Sequence, residues 1–240
     1  MNLNKVFGLY TVGFLAVTIL IGIAEAVFQL PNRVIGWIFM GLSMGIYLLI
    51  GIVTRTSDAD QYYVAGRGVP ALYNGMATGS DWMSAASFIS MAGALSAQGF
   101  SGLAYVMGWT GGYLLLAVFL GPYLRQFGQY TIPDFLGARY NGNTPRIIGV
   151  VAAITASFTY LIAQVTGVGL IVSRFIGLEF NVGCFVGLIG VLFCSVLGGM
   201  KAVTWTQVAQ YIILITSYLV PVVVLSFKLF TIPVPELTYG

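Results

Sequence analysis

The chain of 240 residues contains no histidine. That removes the usual axial ligand of haem and the commonest zinc ligand, and argues against a haem-bearing redox subunit. Charge of either sign is scarce, at 7% of residues, against about 25% in ordinary soluble domains. A soluble protein of this length could not cover its surface with so few charges. The ten basic residues and net charge of +3 make no case for nucleic-acid binding. Two cysteines, Cys184 and Cys194, share one apolar stretch and read as buried free thiols packing as small hydrophobes. No nucleophile–base pair is evident, so the chain is not read as an enzyme: no catalytic residue and no cofactor are assigned.

What is abundant is apolar side chain, 58% of the sequence. The class this implies is an all-α, multi-span membrane protein. Apolar runs cover residues 6–30, 34–53, 71–97, 103–124, 147–171, 182–197 and 203–230, which makes seven expected transmembrane helices. Each is near the ~20 residues needed to cross the hydrocarbon core, and the short sixth would tilt less or thin the bilayer locally. The first run follows Lys5, exceeds a signal-peptide core in length and lacks a good cleavage site, so it reads as a retained helix.

Alternate loops place Lys5, Arg55, Arg67, Arg125, Arg139, Arg146 and Lys201 on one side and Arg33, Arg174 and Lys228 on the other, seven against three. The excess of positive charge inside puts the amino terminus in the cytoplasm. Seven crossings would leave residues 231–240 as an extracytoplasmic end without a charged tail.

The third run holds the most telling residue. Asp81 lies in Thr78-Gly79-Ser80-Asp81-Trp82-Met83-Ser84-Ala85-Ala86-Ser87-Phe88. A carboxylate at the bilayer centre costs roughly 2.5–3.5 kcal/mol on insertion scales and needs compensation. From Ala71 to Asp81 a helix rises on the order of 15 Å, about half the core thickness. Gly75 and Gly79 have GxxxG spacing, and small residues continue through Ser90, Gly93 and Ser96. Close helix packing accounts for the small residues. It does not account for Asp81. Unwinding around Gly79-Ser80-Asp81 would free carbonyls able to hold a hard monovalent cation. The candidate ion-binding residues are Ser80, Asp81 and Ser84, with Ser87 as a candidate substrate contact.

Other polar groups in apolar runs are weaker signals. Tyr160 and Gln164, four apart on the fifth run, share a helix face. They would either line a substrate cavity or hydrogen-bond a neighbouring helix. Glu25 lies near the outer end of the first run and can snorkel to the interface. Thr204, Thr206, Gln207 and Gln210 open the last run and are consistent with a water-filled vestibule. The 57–70 segment reads as a cytoplasmic turn punctuated by glycine. Thr131-Ile132-Pro133-Asp134 reads as the capped start of a short interfacial helix carrying Arg139 and Tyr140.

Three stretches resemble one family, the sodium:solute symporters. Asp60-Gln61-Tyr62-Tyr63-Val64-Ala65-Gly66-Arg67 is similar to its D-x-Y-x-x-G-G-R loop. Gly79-Ser80-Asp81-Trp82-Met83-Ser84-Ala85-Ala86-Ser87-Phe88 resembles the third span of its acetate and monocarboxylate carriers. Gly198-Gly199-Met200-Lys201-Ala202-Val203-Thr204-Trp205-Thr206-Gln207-Val208-Ala209-Gln210 is similar to its G-G-x-x-A-V-x-W-T-D-x-x-Q signature, with Gln207 where many members carry aspartate. The Tyr130-Thr131-Ile132-Pro133-Asp134-Phe135 loop also fits.

The resemblance implies a leucine-transporter-like fold of two inverted five-helix repeats around a midplane site. Residues 1–56 would be two peripheral helices, 57–70 a cytoplasmic loop, and 71–230 the first repeat. Residues 231–240 would be a truncated end, and the second repeat would be the missing partner. The implied activity is sodium-coupled import of a small organic anion, a monocarboxylate such as acetate, across a bacterial inner membrane. Sodium would bind backbone carbonyls near Ser80 and Met83, and the hydroxyls completing its site would come from the second repeat. The aspartate that Gln207 replaces is linked in the family to the ion's exit route. A non-transporting membrane sensor or scaffold built on a transporter half is the rival reading.

Overall fold

The computed structural model describes residues 3–238, apart from the side chains of Ala86, Ile89, Cys194, Glu236 and Thr238. Cys194 as a thiol therefore lies outside the described residues. Ten α-helices follow in order: α1 Leu3–Phe28, α2 Asn32–Val53, α3 Ala59–Val64, α4 Ala71–Trp82, α5 Met91–Gln98, α6 Leu103–Leu115, α7 Gly121–Phe127, α8 Ile132–Arg139, α9 Asn143–Ile176 and α10 Phe180–Phe230. π-Helical turns at Ala86–Ser90 and Leu116–Leu120 precede α5 and α7. No strand occurs among the described residues.

Five stretches are long and apolar enough to cross a membrane: Leu3–Phe28, Asn32–Val53, Met91–Phe127, Asn143–Ile176 and Ser195–Phe230. Phe180–Phe193 is apolar but shorter. Of the seven expected spans, the third is interrupted, as its glycines and serines suggested, and the last two are joined at a corner in α10. The 71–97 run is interrupted: α4 ends at Trp82, and the helix resumes at Ala85. The run from Met91 to Phe127 is broken at Gly99, with φ 61° and ψ −139°. The 51 residues of α10 are two arms meeting at Gly199, with φ 52° and ψ −141°. Hydropathy measures burial in lipid and is blind to such interruptions.

Most apolar side chains of α1 are exposed and none of its residues is fully buried, while Phe7 packs on the core of its unit. An apolar helix exposed over most of its surface has lipid as its solvent.

The chain divides into two compact units. One comprises Met1–Met83, Phe175–Gly177 and Ile189–Gly240. Its core gathers Tyr73, Ala77 and Val208, with Phe7 and Trp205 packed against them. Three rings meet there: Phe7 to Tyr73 at 5.3 Å, Phe7 to Trp205 at 5.8 Å and Tyr73 to Trp205 at 5.7 Å between centroids. Tyr73 keeps its hydroxyl satisfied by donating to Asn4 Oδ1 at 2.6 Å, as a buried phenol requires. Ala202, Val208 and Ala209 are almost wholly buried, so this arm of α10 is the central helix of the unit.

The 57–70 segment is more ordered than a glycine-punctuated turn. Asp58 caps α3, accepting from the N–H groups of Asp60 at 2.8 Å and Gln61 at 3.4 Å. α3 then docks on the Gly199 corner. Tyr62 donates its hydroxyl to Ser195 O at 3.3 Å, Lys201 Nζ donates to Gln61 Oε1 at 2.6 Å, and Thr56 N–H donates to Leu197 O at 3.3 Å. Two of the family-like stretches, 60–67 and 198–210, thus hold one another.

The second unit comprises Ser84–Arg174 and Leu178–Leu188. α8 starts as the sequence predicts: Thr131 caps it by accepting from Asp134 N–H at 3.2 Å, and Thr131 Oγ1 donates to Asp134 Oδ2 at 2.6 Å. Asp134 also pairs with Arg146 at 2.7 Å and ties α8 to the first turns of α9. Higher on α9, Gly169 lies against Cys184 and Phe180 of the first arm of α10, where a side chain would collide with both. The Cys184 thiol donates to Val165 O at 3.5 Å, so this cysteine is a small half-buried residue at a helix contact.

Gly199 provides a test of the corner. Its backbone lies where L-residues are strained by about 1–3 kcal/mol, and an added Cβ would come within 2.5 Å of Tyr62 O. Gly199→Ala is expected to lower the apparent Tm of the detergent-solubilised protein by several degrees, measured by thermal unfolding. An unchanged Tm would show that the corner is not held as described.

Candidate functional site

The interruption after α4 is built by a serine. Ser84 Oγ accepts from Ser87 N–H at 3.2 Å, while Ser84 O accepts the first bond of the resumed helix from Phe88 N–H at 2.9 Å. These are the two bonds of a helix N-cap. Ser84 Oγ and Ser87 Oγ also share a hydrogen bond of 2.8 Å. On the near side, Met83 N–H still donates to Gly79 O at 3.1 Å. The carbonyls of Ser80 and Asp81 therefore stand at the end of a helical ladder, where the regular intrahelical donors run out.

The sequence reading placed the unwinding at Gly79-Ser80-Asp81. It lies two to three residues later, at Met83–Ser84. The reason is packing. Gly79 lets the Tyr211 ring approach so closely that a Cβ there would sit 3.1 Å from Tyr211 Cε2. Ser80 continues the buried face of Tyr73 and Ala77 at positions i, i+4 and i+7. Both residues are clamped as helix, and the chain opens only beyond them. The spacing Ser84-x-x-Ser87 was the local signal for the break.

In the first unit, Ser80, Asp81 and Met83 follow one another at the end of α4. Asp81 is exposed, and its Oδ1 accepts from Gln207 Nε2 at 3.0 Å. This contact joins α4 to the second arm of α10, and the sequence reading did not foresee it. Ser80 Oγ is buried, 5% exposed as a residue, with no hydrogen-bond partner among the described residues. Thr206 Oγ1, beside Gln207, is in the same condition at 7%. Thr204 is also buried and donates back to Met200 O at 2.6 Å. These threonines face protein, so they do not line the vestibule that the last run suggested.

The second unit holds Ser84, Ser87, Tyr160 and Gln164. Gly167, one turn beyond Gln164, packs on Ala85, to which a Cβ would come within 2.9 Å. Gln164 Nε2 is buried without a hydrogen-bond partner among the described residues, and Tyr160 is 49% exposed. Their common face on α9 is thus split between one buried amide and one open phenol.

Two cavities lie away from these residues. An apolar one of about 290 Å³ in the first unit is lined by α1, α2 and α10, including Tyr10, Phe39, Ser43 and Ile213. A polar one of about 510 Å³ in the second unit lies at the α8–α9 junction, with Asp134 and Arg146 in its wall. No group of three or more Cys, Asp or Glu side chains able to hold a metal ion occurs among the described residues.

Comparison with known proteins bears on this arrangement. The model of the sodium:solute symporter family matches residues 62–230. An uncharacterized symporter of Cupriavidus necator is 55% identical over 98% of this chain and 35% of its own length. An uncharacterized symporter of Bacillus subtilis is 33% identical over 72% of this chain and 34% of its own length. The chain thus spans about a third of the curated relatives it matches. No solved structure matches it. With the family match covering most of a multi-pass helical membrane chain whose third run breaks beside an aspartate, the chain belongs to the sodium:solute symporter family.

Proposed function

We propose that this chain is the sodium-binding part of a symporter that imports a small organic solute by alternating access. The observation that carries the reading is the interruption of the third run at Met83–Ser84, with Asp81 just before it. In lipid, irregular backbone is tolerated only where it is buried in protein or lines a cavity. Secondary transporters hold their coupling ions on the unwound carbonyls of such discontinuous helices.

In this reading the carbonyls of Ser80 and Met83 replace water around a sodium ion. Asp81 supplies the compensating charge, with Ser84 at the break. Ser87, Tyr160 and Gln164 contact the solute, and a small monocarboxylate such as acetate is the class that the sequence resemblance favours. Residues 1–56 serve as peripheral helices, 57–70 as a cytoplasmic loop and 71–230 as the first repeat, with the amino terminus in the cytoplasm of a bacterial inner membrane. The family match begins at residue 62, which supports a peripheral role for α1 and α2. Hydroxyls completing the ion site would belong to the part of the relatives that this chain does not cover.

Sodium moving inward stabilises the solute-competent conformation, and each charge crossing is worth about 2.3 kcal/mol per 100 mV. Coupling between two ligands of about 1–3 kcal/mol changes affinity about 5–150-fold.

Two substitutions test the site in the full-length carrier. Asp81→Asn is expected to abolish sodium stimulation of labelled-acetate uptake into proteoliposomes, and undiminished stimulation would remove Asp81 from coupling. Ser80→Ala separates the carbonyl from the hydroxyl. Because the Ser80 hydroxyl is buried unpaired, a condition costing about 1–3 kcal/mol, its removal is expected to preserve or raise the Tm in sodium-free buffer. Sodium affinity should stay within about twofold if the carbonyl is the ligand. A large loss of affinity would instead make the hydroxyl the ligand.

A further inference from the structure

We propose that in this chain Gln207 is the positioning residue for the Asp81 carboxylate, its donated N–H aiming the acid for sodium binding. The proposal rests on the coupling role of Asp81 given above and adds a partner to it. Gln207 Nε2 lies 3.0 Å from Asp81 Oδ1, and it is the polar partner of that carboxylate among the described residues.

Both ends of this contact are anchored by burial. Asp81 follows Ser80, which is 5% exposed on the packed face of α4. Gln207 precedes Val208, which is fully buried in the same core. Tyr211, one turn beyond Gln207, presses its ring against Gly79. The backbones at 81 and 207 are thus held in register, and the hydrogen bond links two fixed points.

The amide does what other side chains of similar size would not. An ionised carboxylate only accepts, and it has two oxygens. Gln207 occupies one with a donated N–H and leaves the negative charge in place for a cation at the other. Leucine would withdraw the donor and leave the acid without a partner. Glutamate would set two carboxylates within hydrogen-bond reach, and such a pair resists double ionisation and takes up a proton. Either change removes a correctly aimed anionic oxygen while leaving the packing volume nearly unchanged.

The neighbouring hydroxyls strengthen the assignment. Ser80 Oγ and Thr206 Oγ1 are adjacent in sequence to the two partners, are buried, and bond to neither of them. Orientation of Asp81 therefore falls to Gln207 rather than to the hydroxyls beside it.

The test is equilibrium binding of radioactive sodium ion to the purified full-length carrier, with no solute present. Gln207→Leu and Gln207→Glu are each expected to weaken sodium affinity about tenfold with the number of sites per folded molecule unchanged. The exchange pair Asp81→Asn with Gln207→Glu restores one acid and one amide across the contact, and is expected to regain most of the affinity that Asp81→Asn alone loses. A merely structural role would not produce that rescue. If both single variants at 207 bind sodium within twofold of the parent while Asp81→Asn does not, the positioning role is overturned and the coupling role of Asp81 stands. If Asp81→Asn itself binds sodium normally, both readings fall. An exchange pair no better than Asp81→Asn alone would also overturn the positioning role.

Discussion

A polypeptide in lipid must satisfy its own backbone, and this structure turns on the one place where the third apolar run stops doing so along the helix. Ser84 takes over at the break, its hydroxyl accepting from Ser87 N–H and its carbonyl from Phe88 N–H. That arrangement lets a helix end and restart within a membrane protein without the full penalty of unsatisfied donors. The cost is shifted to the carbonyls before the break, at Ser80 and Asp81. Carbonyls without helical donors are poor neighbours for hydrocarbon and good neighbours for a cation.

The first unit is organised to hold the near side of that break still. Tyr73, Ala77 and Ser80 bury one face of α4, and Val208 on α10 fills the space against it. The glycine at 79 admits the Tyr211 ring, and the Asp81–Gln207 hydrogen bond lies at the edge of the same contact. At the Gly199 corner, α3 fastens the 57–70 segment to the turn that leads into this arm of α10. The 60–67 and 198–210 stretches, which looked separate in the sequence, pack with residues 79–83 in the first unit. Residues 79–83 end α4, the 198–210 stretch forms the helix they pack on, and the 60–67 stretch clamps the turn between the arms of α10.

In the second unit, the same physical rules give a different result. Thr131 and Asp134 start α8, and the Arg146 pair ties it to α9. Gly167 and Gly169 let α9 lie close to Ala85 and to Cys184. The buried amide of Gln164 is left facing this packed region without a hydrogen-bond partner among the described residues.

Much of this was legible in the residues alone. The shortage of charge and the length of the apolar runs determined a multi-span helical membrane protein, because a bilayer rewards that composition and water does not. The small hydroxyl residues around Asp81 marked an interrupted helix, and Thr131 with Pro133 marked the start of α8, because caps are short-range chemistry. Tertiary packing decided the rest. It set the break at Met83–Ser84 rather than at Gly79–Asp81, because Tyr211 and Val208 hold residues 79 and 80 in helix from a distance of more than a hundred residues along the chain. It gave Asp81 its partner at Gln207 and turned Thr204 and Thr206 into the protein, because which face of a helix is buried depends on its neighbours as well as on its own sequence.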